Sequence, residues 1–133
     1  MASSFQLRIV TPKAQLLDEQ VREVTAPGTL GEFGVLPDHA GLLSSLEIGV
    51  LTYKSEHGAK KVAIRNGFAE VLDNVMTVLA DDAVPGEAVD PNAARAEIQA
   101  AEAQTQPGAV ADEAYAAAEA NRRWAQARLD ATR

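Results

Sequence analysis

The chain contains no cysteine, and that absence alone removes disulfide frameworks and thiolate metal sites from consideration. Histidine is nearly missing too. His39 and His57 are the only two, and neither falls at a spacing from carboxylates that would assemble a metal centre. Aromatic residues are scarce: Phe5, Phe33, Tyr53, Phe68, Tyr115 and Trp124 are the full set. Most lie in strand patterns, so an aromatic platform for a sugar or a peptide is not expected. Basic charge is in deficit, with a formal net charge of −7. Residues 1–90 hold 13 acids against 7 bases, and residues 91–133 hold 6 against 5, which argues against a nucleic-acid partner. No apolar run approaches the roughly 20 residues of a membrane-spanning helix, and no basic, then apolar, leader precedes the first strand. The expectation is a soluble, unprocessed chain that meets a membrane only indirectly.

Catalytic motifs are missing as well. There is no GxxxxGK[ST] phosphate loop, no GxSxG elbow, and no serine placed with a histidine and a carboxylate in motif terms. A small hydrolase is therefore disfavoured, and catalysis by this chain alone is not expected. Asp81 and Asp82 form an adjacent acidic pair after the last expected strand, but neighbours on a strand end point to opposite sides, so a solvated edge is expected rather than an acid and base pair.

What the chain does have is divided sharply. Residues 1–90 carry nearly all the β-branched and large apolar residues, whereas residues 91–133 are dominated by alanine, with only Ile98, Val110, Tyr115, Trp124 and Leu129 as larger apolar groups. Only the first part can bury a substantial core. The organisation expected is a domain over residues 1–84, a linker over 85–90 and a second element over 91–133.

Within the first part, Phe5, Leu7 and Ile9 alternate with Gln6 and Arg8, the period of a strand buried on one face. Leu16 and Leu17 precede an acidic break at Asp18 and Glu19, and Val21, Val24 and Ala26 follow as a strand ending at Pro27 and Gly28. Short strands are expected around Gly34 and Leu43, then over Ile48–Tyr53, and over Lys61–Arg65 after a polar hairpin loop at Glu56, His57 and Gly58. Gly67 interrupts the pattern as a bulge or corner. Phe68–Leu72 and Val75–Ala80 flank the turn pair Asp73 and Asn74. About nine or ten short strands with no intervening helix predict an antiparallel β-sandwich or flattened barrel.

The second part predicts an antiparallel α-helical hairpin. Asp90 followed by Pro91 suits an N-cap and first helical position. The first helix is expected to run to about Thr105, stopped by Pro107 and Gly108, and the second from near Val110 almost to the end. Asp112 and Glu113 early and Arg122, Arg123 and Arg128 late suit the helix dipole. A stripe of Ala94, Ala101, Ala114, Ala118 and Ala125 implies high helicity with shallow packing.

The stretch from Gly28 to Leu51 organises the chain. Gly28, Gly31 and Gly34 recur every three residues, a spacing that suits neither strand nor helix and marks turns or close approaches. They precede no helix that could hold an anion, so they are not a phosphate cradle. His39, beside Asp38, is expected at a partner contact rather than as a general base.

The wording GEFGVLPDHAGLLSSLEIGVL, with IRNGFAEVLDNVMTVLADDA further on, closely resembles the epsilon subunit family of F-type ATP synthases; Gly41 stands where that family commonly has proline. The resemblance implies a non-catalytic subunit of the rotating central stalk, peripheral to the cytoplasmic face of a bacterial inner membrane. Its implied partners are the gamma subunit, the c ring and, in an extended state, the alpha and beta subunits. Glu32, Phe33, Pro37, His39 and Leu42 are the candidate contacts with the c ring or gamma. The hairpin would be a mobile regulatory arm that blocks ATP hydrolysis, with Arg122, Arg123, Trp124 and Arg128 as contact candidates; Trp124 suits helix packing equally well. No cofactor is implied. Some relatives bind ATP through a motif of the form [IL]DxxRA, and here Arg95 and Ala96 match while Asn92 replaces the aspartate. Arg95 and Arg128 are the residues such a site would use, and tight nucleotide binding is not expected. The competing reading from the residues is a free-standing β-sandwich ligand-binding module with a helical tail.

Overall fold

The computed structural model describes residues 2–104 and 113–133. Eight strands and two helices follow in order: β1 Phe5–Val10, β2 Gln15–Val21, β3 Glu23–Gly28, β4 Gly31–Val35, β5 Leu42–Leu46, β6 Gly49–Ser55, β7 Gly58–Leu72, β8 Val75–Pro85, α1 Pro91–Gln104 and α2 Glu113–Asp130. The strands hydrogen-bond in the order β2-β1-β8-β7-β5-β3-β4, with β6 pairing both β3 and β7. Every pairing is antiparallel except β1 with β8, which run parallel. The sheet folds over on itself as a sandwich, and Phe5, Leu7, Ile9, Val24, Leu51, Ile64, Met76 and Val78 from five of its strands fill one core.

Eight strands replace the expected nine or ten because β7 is one strand of 15 residues, where the glycine had suggested two. Gly67 is nonetheless the corner. It has φ +135 beside Asn66 at φ +56, and a Cβ there would stand 2.0 Å from the Leu79 carbonyl oxygen, so only glycine fits. The register with β8 passes through the bend unchanged, Arg65 opposite Asp82 and Gly67 opposite Ala80. On its other edge β7 changes partner there, pairing β6 through Ile64 and β5 from Gly67 onward.

Two acidic pairs expected outside the strands, Asp18 and Glu19 as a break and Asp81 and Asp82 after the last strand, lie within strands instead. Asp18 and Glu19 belong to β2, where Asp18 faces out at the sheet edge, accepts a hydrogen bond from Gln6 Nε2 at 2.6 Å and approaches Arg8 at 3.9 Å. Charge on an exposed edge is tolerated and discourages edge-to-edge pairing. Asp81 and Asp82 lie within β8, which continues to Pro85 instead of ending at Ala80. Of the three spaced glycines, Gly31 has φ +126 and Gly28 lets the backbone approach Gly31 and Phe33 closely, but Gly34 has neither need: a Cβ there would meet only the Val24 carbonyl oxygen at 3.9 Å. Asp73 and Asn74 both have positive φ, 50 and 63, the requirement of a two-residue type I′ hairpin turn.

A single 3-10 turn, Gly86–Ala88, connects the sandwich to α1. Asp90 caps that helix as expected, its Oδ1 accepting from the backbone N–H groups of Asn92 at 3.0 Å and Ala93 at 3.3 Å. The expected stop at Pro107 and Gly108 and the start near Val110, with Asp112, lie outside the described residues. Ala94 and Ala101 of α1 and Ala118 and Ala125 of α2 are buried, whereas Ala114 is exposed and drops out of the packed stripe.

The helical hairpin contributes nothing to the core enclosed by the strands. A fragment of residues 1–89 is therefore expected to unfold cooperatively, with the β-type circular dichroism of the whole chain. A disordered fragment would show that the hairpin is needed to hold the sandwich.

Candidate functional surfaces

The candidate contacts Glu32, Phe33, Pro37, His39 and Leu42 are distributed along β4 and beyond it. Glu32 lies near the start of β4, opposite Pro27, beside the β3–β4 turn. His39 lies past its other end, with its backbone N–H donating to Leu36 at 3.2 Å and Nδ1 donating to the Ala40 carbonyl at 2.6 Å. Extended chain rises about 3.4 Å per residue, so β4 alone separates the two by more than 10 Å, and the structure does not bring them together. The His39 loop is instead tied to the other hairpin. Asp38, at φ +62, donates its backbone N–H to Asn74 Oδ1 at 2.8 Å and accepts from Ala2, and Asn74 Nδ2 donates to the Ser4 carbonyl. Pro37 is half-buried in that loop. Phe33 and Leu42 are partly buried and pack against the core, so their side chains serve the fold first.

Sequence reasoning missed the most exposed apolar residues. Leu30, at the tip of the β3–β4 turn, is fully exposed, and Leu43, Phe68, Leu72 and Leu79 are each more than half exposed. The register groups the last four. Phe68 faces Leu79 across β7 and β8, Leu43 faces Glu70 between Phe68 and Leu72, and paired residues share a face. Ala69, Val71, Val78 and Ala80 on the opposite face are buried. The signal was present in FAEVL and VMTVLA, where apolar residues occupy both parities, as in a strand covered on both sides. A contiguous apolar patch of this kind marks a site of protein interaction.

A second part of the outer sheet surface is already covered. Val50, Ala63 and Val84 are cross-strand neighbours on β6, β7 and β8. On this row lie Trp124, Ala127 and Ala131 of the C-terminal helical segment, spaced i, i+3 and i+7 on one helix face. Trp124 is thus a packing residue here, 7% exposed, with the Arg128 guanidinium 5.4 Å from its ring centroid. Polar contacts frame the seat: Arg123 approaches Glu47 at 3.6 Å and Arg65 donates to Asn121 Oδ1 at 3.2 Å. Arg128 pairs with Glu97 across the two helices. Arg122 pairs with Glu119 at 2.6 Å, and its hydrogen bond holds the Glu119 carboxyl below the usual carboxylate range. All three late arginines are therefore engaged by acids of their own chain. Glu32 shares the open groove of about 550 Å³ beside α2 with Glu47, Arg122 and Arg123.

The two residues proposed for nucleotide do not converge. Arg95 donates to Asn92 Oδ1 at 3.1 Å within the first turn of α1. Arg128 lines a cavity of about 440 Å³ between the helices with Glu97, Asn121 and Trp124, and Arg95 is not among its walls. Another cavity, of about 430 Å³, lies under the last helical turn, walled by Leu16, Leu17, Tyr53, Val62 and Ala131. Among the described residues no group of histidines and carboxylates could hold a metal ion, and no helix is long and apolar enough to cross a membrane.

A sandwich with one free apolar face and one face occupied by its own helical hairpin is an assembly subunit, built to present surfaces. Residues 4–86 match the family described as ATP synthase, Delta/Epsilon chain, beta-sandwich domain. The ATP synthase epsilon chain of Desulfitobacterium hafniense is 48% identical over 102 residues, 77% of each chain. That of Geobacter sulfurreducens is 41% identical over 120 residues, 90% of this chain and 87% of the relative. A chain in the Euglena gracilis mitochondrial ATP synthase, in a structure of its OSCP, F1 and c-ring, superposes with TM-score 0.84 at 26% identity, covering 100% of this chain and 84% of that one. A chain in the Tetrahymena thermophila mitochondrial ATP synthase central stalk and c-ring, at 17% identity and TM-score 0.62 over 96% of both chains, shares the fold. The chain belongs to the ATP synthase epsilon chain family, whose members are non-catalytic subunits of that complex.

The cavity beneath the last turn perturbs one titration. Burial first, then the charges of Glu19 and Glu87, push the Tyr53 phenol up to about 12. The folded value exceeds the unfolded one of about 10, so the stabilisation by neutral Tyr53 is complete below pH ~10 and is lost as pH rises through about 12. Phenolate absorbance should show a late phase near that value, absent in Tyr53→Phe. Full ionisation by pH ~10 would contradict the burial.

Proposed function

We infer that this chain is the non-catalytic rotor subunit of the central stalk of an F-type ATP synthase, joining the gamma subunit to the c ring. The observation that carries the reading is the outward apolar face of Leu43, Phe68, Leu72 and Leu79 on strands whose other face already fills the core. The chain has no use for that face by itself. Gamma would occupy it by apolar burial, and the β3–β4 tip, with Leu30 and Glu32, would meet the polar loops of the c ring. His39, at the other end of β4, then belongs to a different contact, or to none. The subunit would sit at the cytoplasmic face of the bacterial inner membrane, held there through the membrane-bound complex.

The hairpin is the regulatory arm of this reading. Trp124 and a few alanines hold α2 to the sheet, and the framing ion pair of Arg123 and Glu47 is about half exposed on both sides, where such pairs contribute about 0–1 kcal/mol. An arm that leaves this seat frees Arg123 from Glu47, and helices that part free Arg128 from Glu97, for carboxylates of the alpha and beta subunits, to which guanidinium groups bind bidentately. The reading includes no cofactor. ATP would have to displace Glu97 from Arg128 and Asn92 from Arg95, which disfavours tight binding.

The test is recovery of the complex on a tagged chain. Phe68→Ser with Leu79→Ser should change stability by only about 0.5 kcal/mol each, since both side chains are largely outside the core. It should nevertheless reduce recovery of the membrane-bound ATPase at least tenfold. Undiminished recovery would remove this face from the gamma contact. Glu32→Lys, in contrast, should leave recovery intact and weaken ATP-driven proton pumping in inverted vesicles.

A further inference from the structure

We propose that Gly86 is the seat on which the C-terminal turn of the hairpin parks, and that the missing side chain at this one position selects the docked arrangement. Its regulatory meaning rests on the reading of the hairpin as a movable arm; the contact itself does not. Gly86 opens the 3-10 turn after β8 and is not among the residues with positive φ, so its backbone conformation is open to any residue. What excludes a side chain is the neighbour. A Cβ at position 86 would stand 2.0 Å from the Ala131 carbonyl oxygen and 2.9 Å from its carbonyl carbon. Both are backbone atoms of another element, and no rotamer change can move them aside. The remaining neighbour, the Lys61 carbonyl oxygen at 3.3 Å, needs to give by only a few tenths of an ångström.

Ala131 continues α2, its N–H donating to the Ala127 carbonyl at 3.0 Å. A methyl group at position 86 therefore lifts the end of a stiff rod, not a single residue. The lifted face is that of Ala131, Ala127 and Trp124, which packs on Val50, Ala63 and Val84. Dispersion contacts fall off steeply over a gap of an ångström. The polar contacts left behind, Arg123 with Glu47 and Arg65 with Asn121, are exposed to water and weak. The sandwich core has no part in the clash: Gly86 lies beyond the last strand, and the atoms nearest its Cβ belong to Ala131 and Lys61, neither of them in the core cluster.

Trp124 is the only tryptophan, so its emission reports docking directly. In the full chain, Gly86→Ala should shift that emission toward the red of a water-exposed indole while the β signal and its melting stay those of the wild type. Gly34→Ala, whose Cβ would meet only the Val24 carbonyl oxygen at 3.9 Å, should leave the emission unchanged. Wild-type emission in Gly86→Ala overturns the proposal. Should Gly86→Ala lower the melting of the sandwich, the same substitution is made in a chain ending at Asp130. If the loss disappears there, the clash with Ala131 is its cause; an equal loss places the cost within the turn and overturns the seat. In the assembled ATPase, Gly86→Ala should change the hydrolysis rate. A shifted emission with an unchanged rate leaves the seat standing and removes the arm reading.

Discussion

The bend in β7 at Asn66 and Gly67 is the constraint on which the rest of the molecule depends. β7 keeps one uninterrupted register with β8 through the bend while exchanging β6 for β5 on its other edge. That exchange lets a single hydrogen-bonded sheet turn back over its own core without a separate second sheet. The Leu79 carbonyl occupies the space a Cβ would need at position 67, so the corner tolerates no side chain.

The same bend sorts the outer surface into two territories. Beyond it, toward the Asp73–Asn74 turn, β5, β7 and β8 present Leu43, Phe68, Leu72 and Leu79 to solvent. Before it, β6, β7 and β8 present Val50, Ala63 and Val84 to the chain's own helix. One strand thus supplies an apolar face for a partner and another for the hairpin. The hydrophobic effect does not distinguish between them. Geometry does, because Ala63 between two valines leaves a shallow row that a tryptophan and two alanines can fill, whereas Phe68 and Leu79 stand proud.

The docked hairpin combines strong local structure with modest packing. Alanine favours the helix while burying little area, and at about 25 cal/mol per Å² most of the helix-to-sheet stabilisation falls to Trp124. The charge pattern follows the same economy: Glu47, Glu97 and Glu119 each engage one late arginine, and none of these pairs is deeply buried. Pairs of this kind add little stability, so the docking of the hairpin rests mainly on the Trp124 face.

The amino-acid sequence by itself determined the two-part organisation, the alternating strands of the sandwich, the Asp73–Asn74 turn, the Asp90 cap and, through two long motifs, the family. Each of these is written in local periodicity or in the φ preference of single residues, and needs no distant neighbour to be legible. Asp18, Glu19, Asp81 and Asp82 misled because local composition cannot say that a strand has an exposed face on which acids are harmless. Glu32 and His39, both assigned by resemblance, are close in the chain, yet the extended backbone of β4 places them at its opposite ends. Only the tertiary structure decided that Trp124 packs inward, that Phe68 and Leu79 face out, and that Gly86 receives Ala131. All three depend on which surfaces of distant segments meet, and that is fixed by sheet register and helix docking.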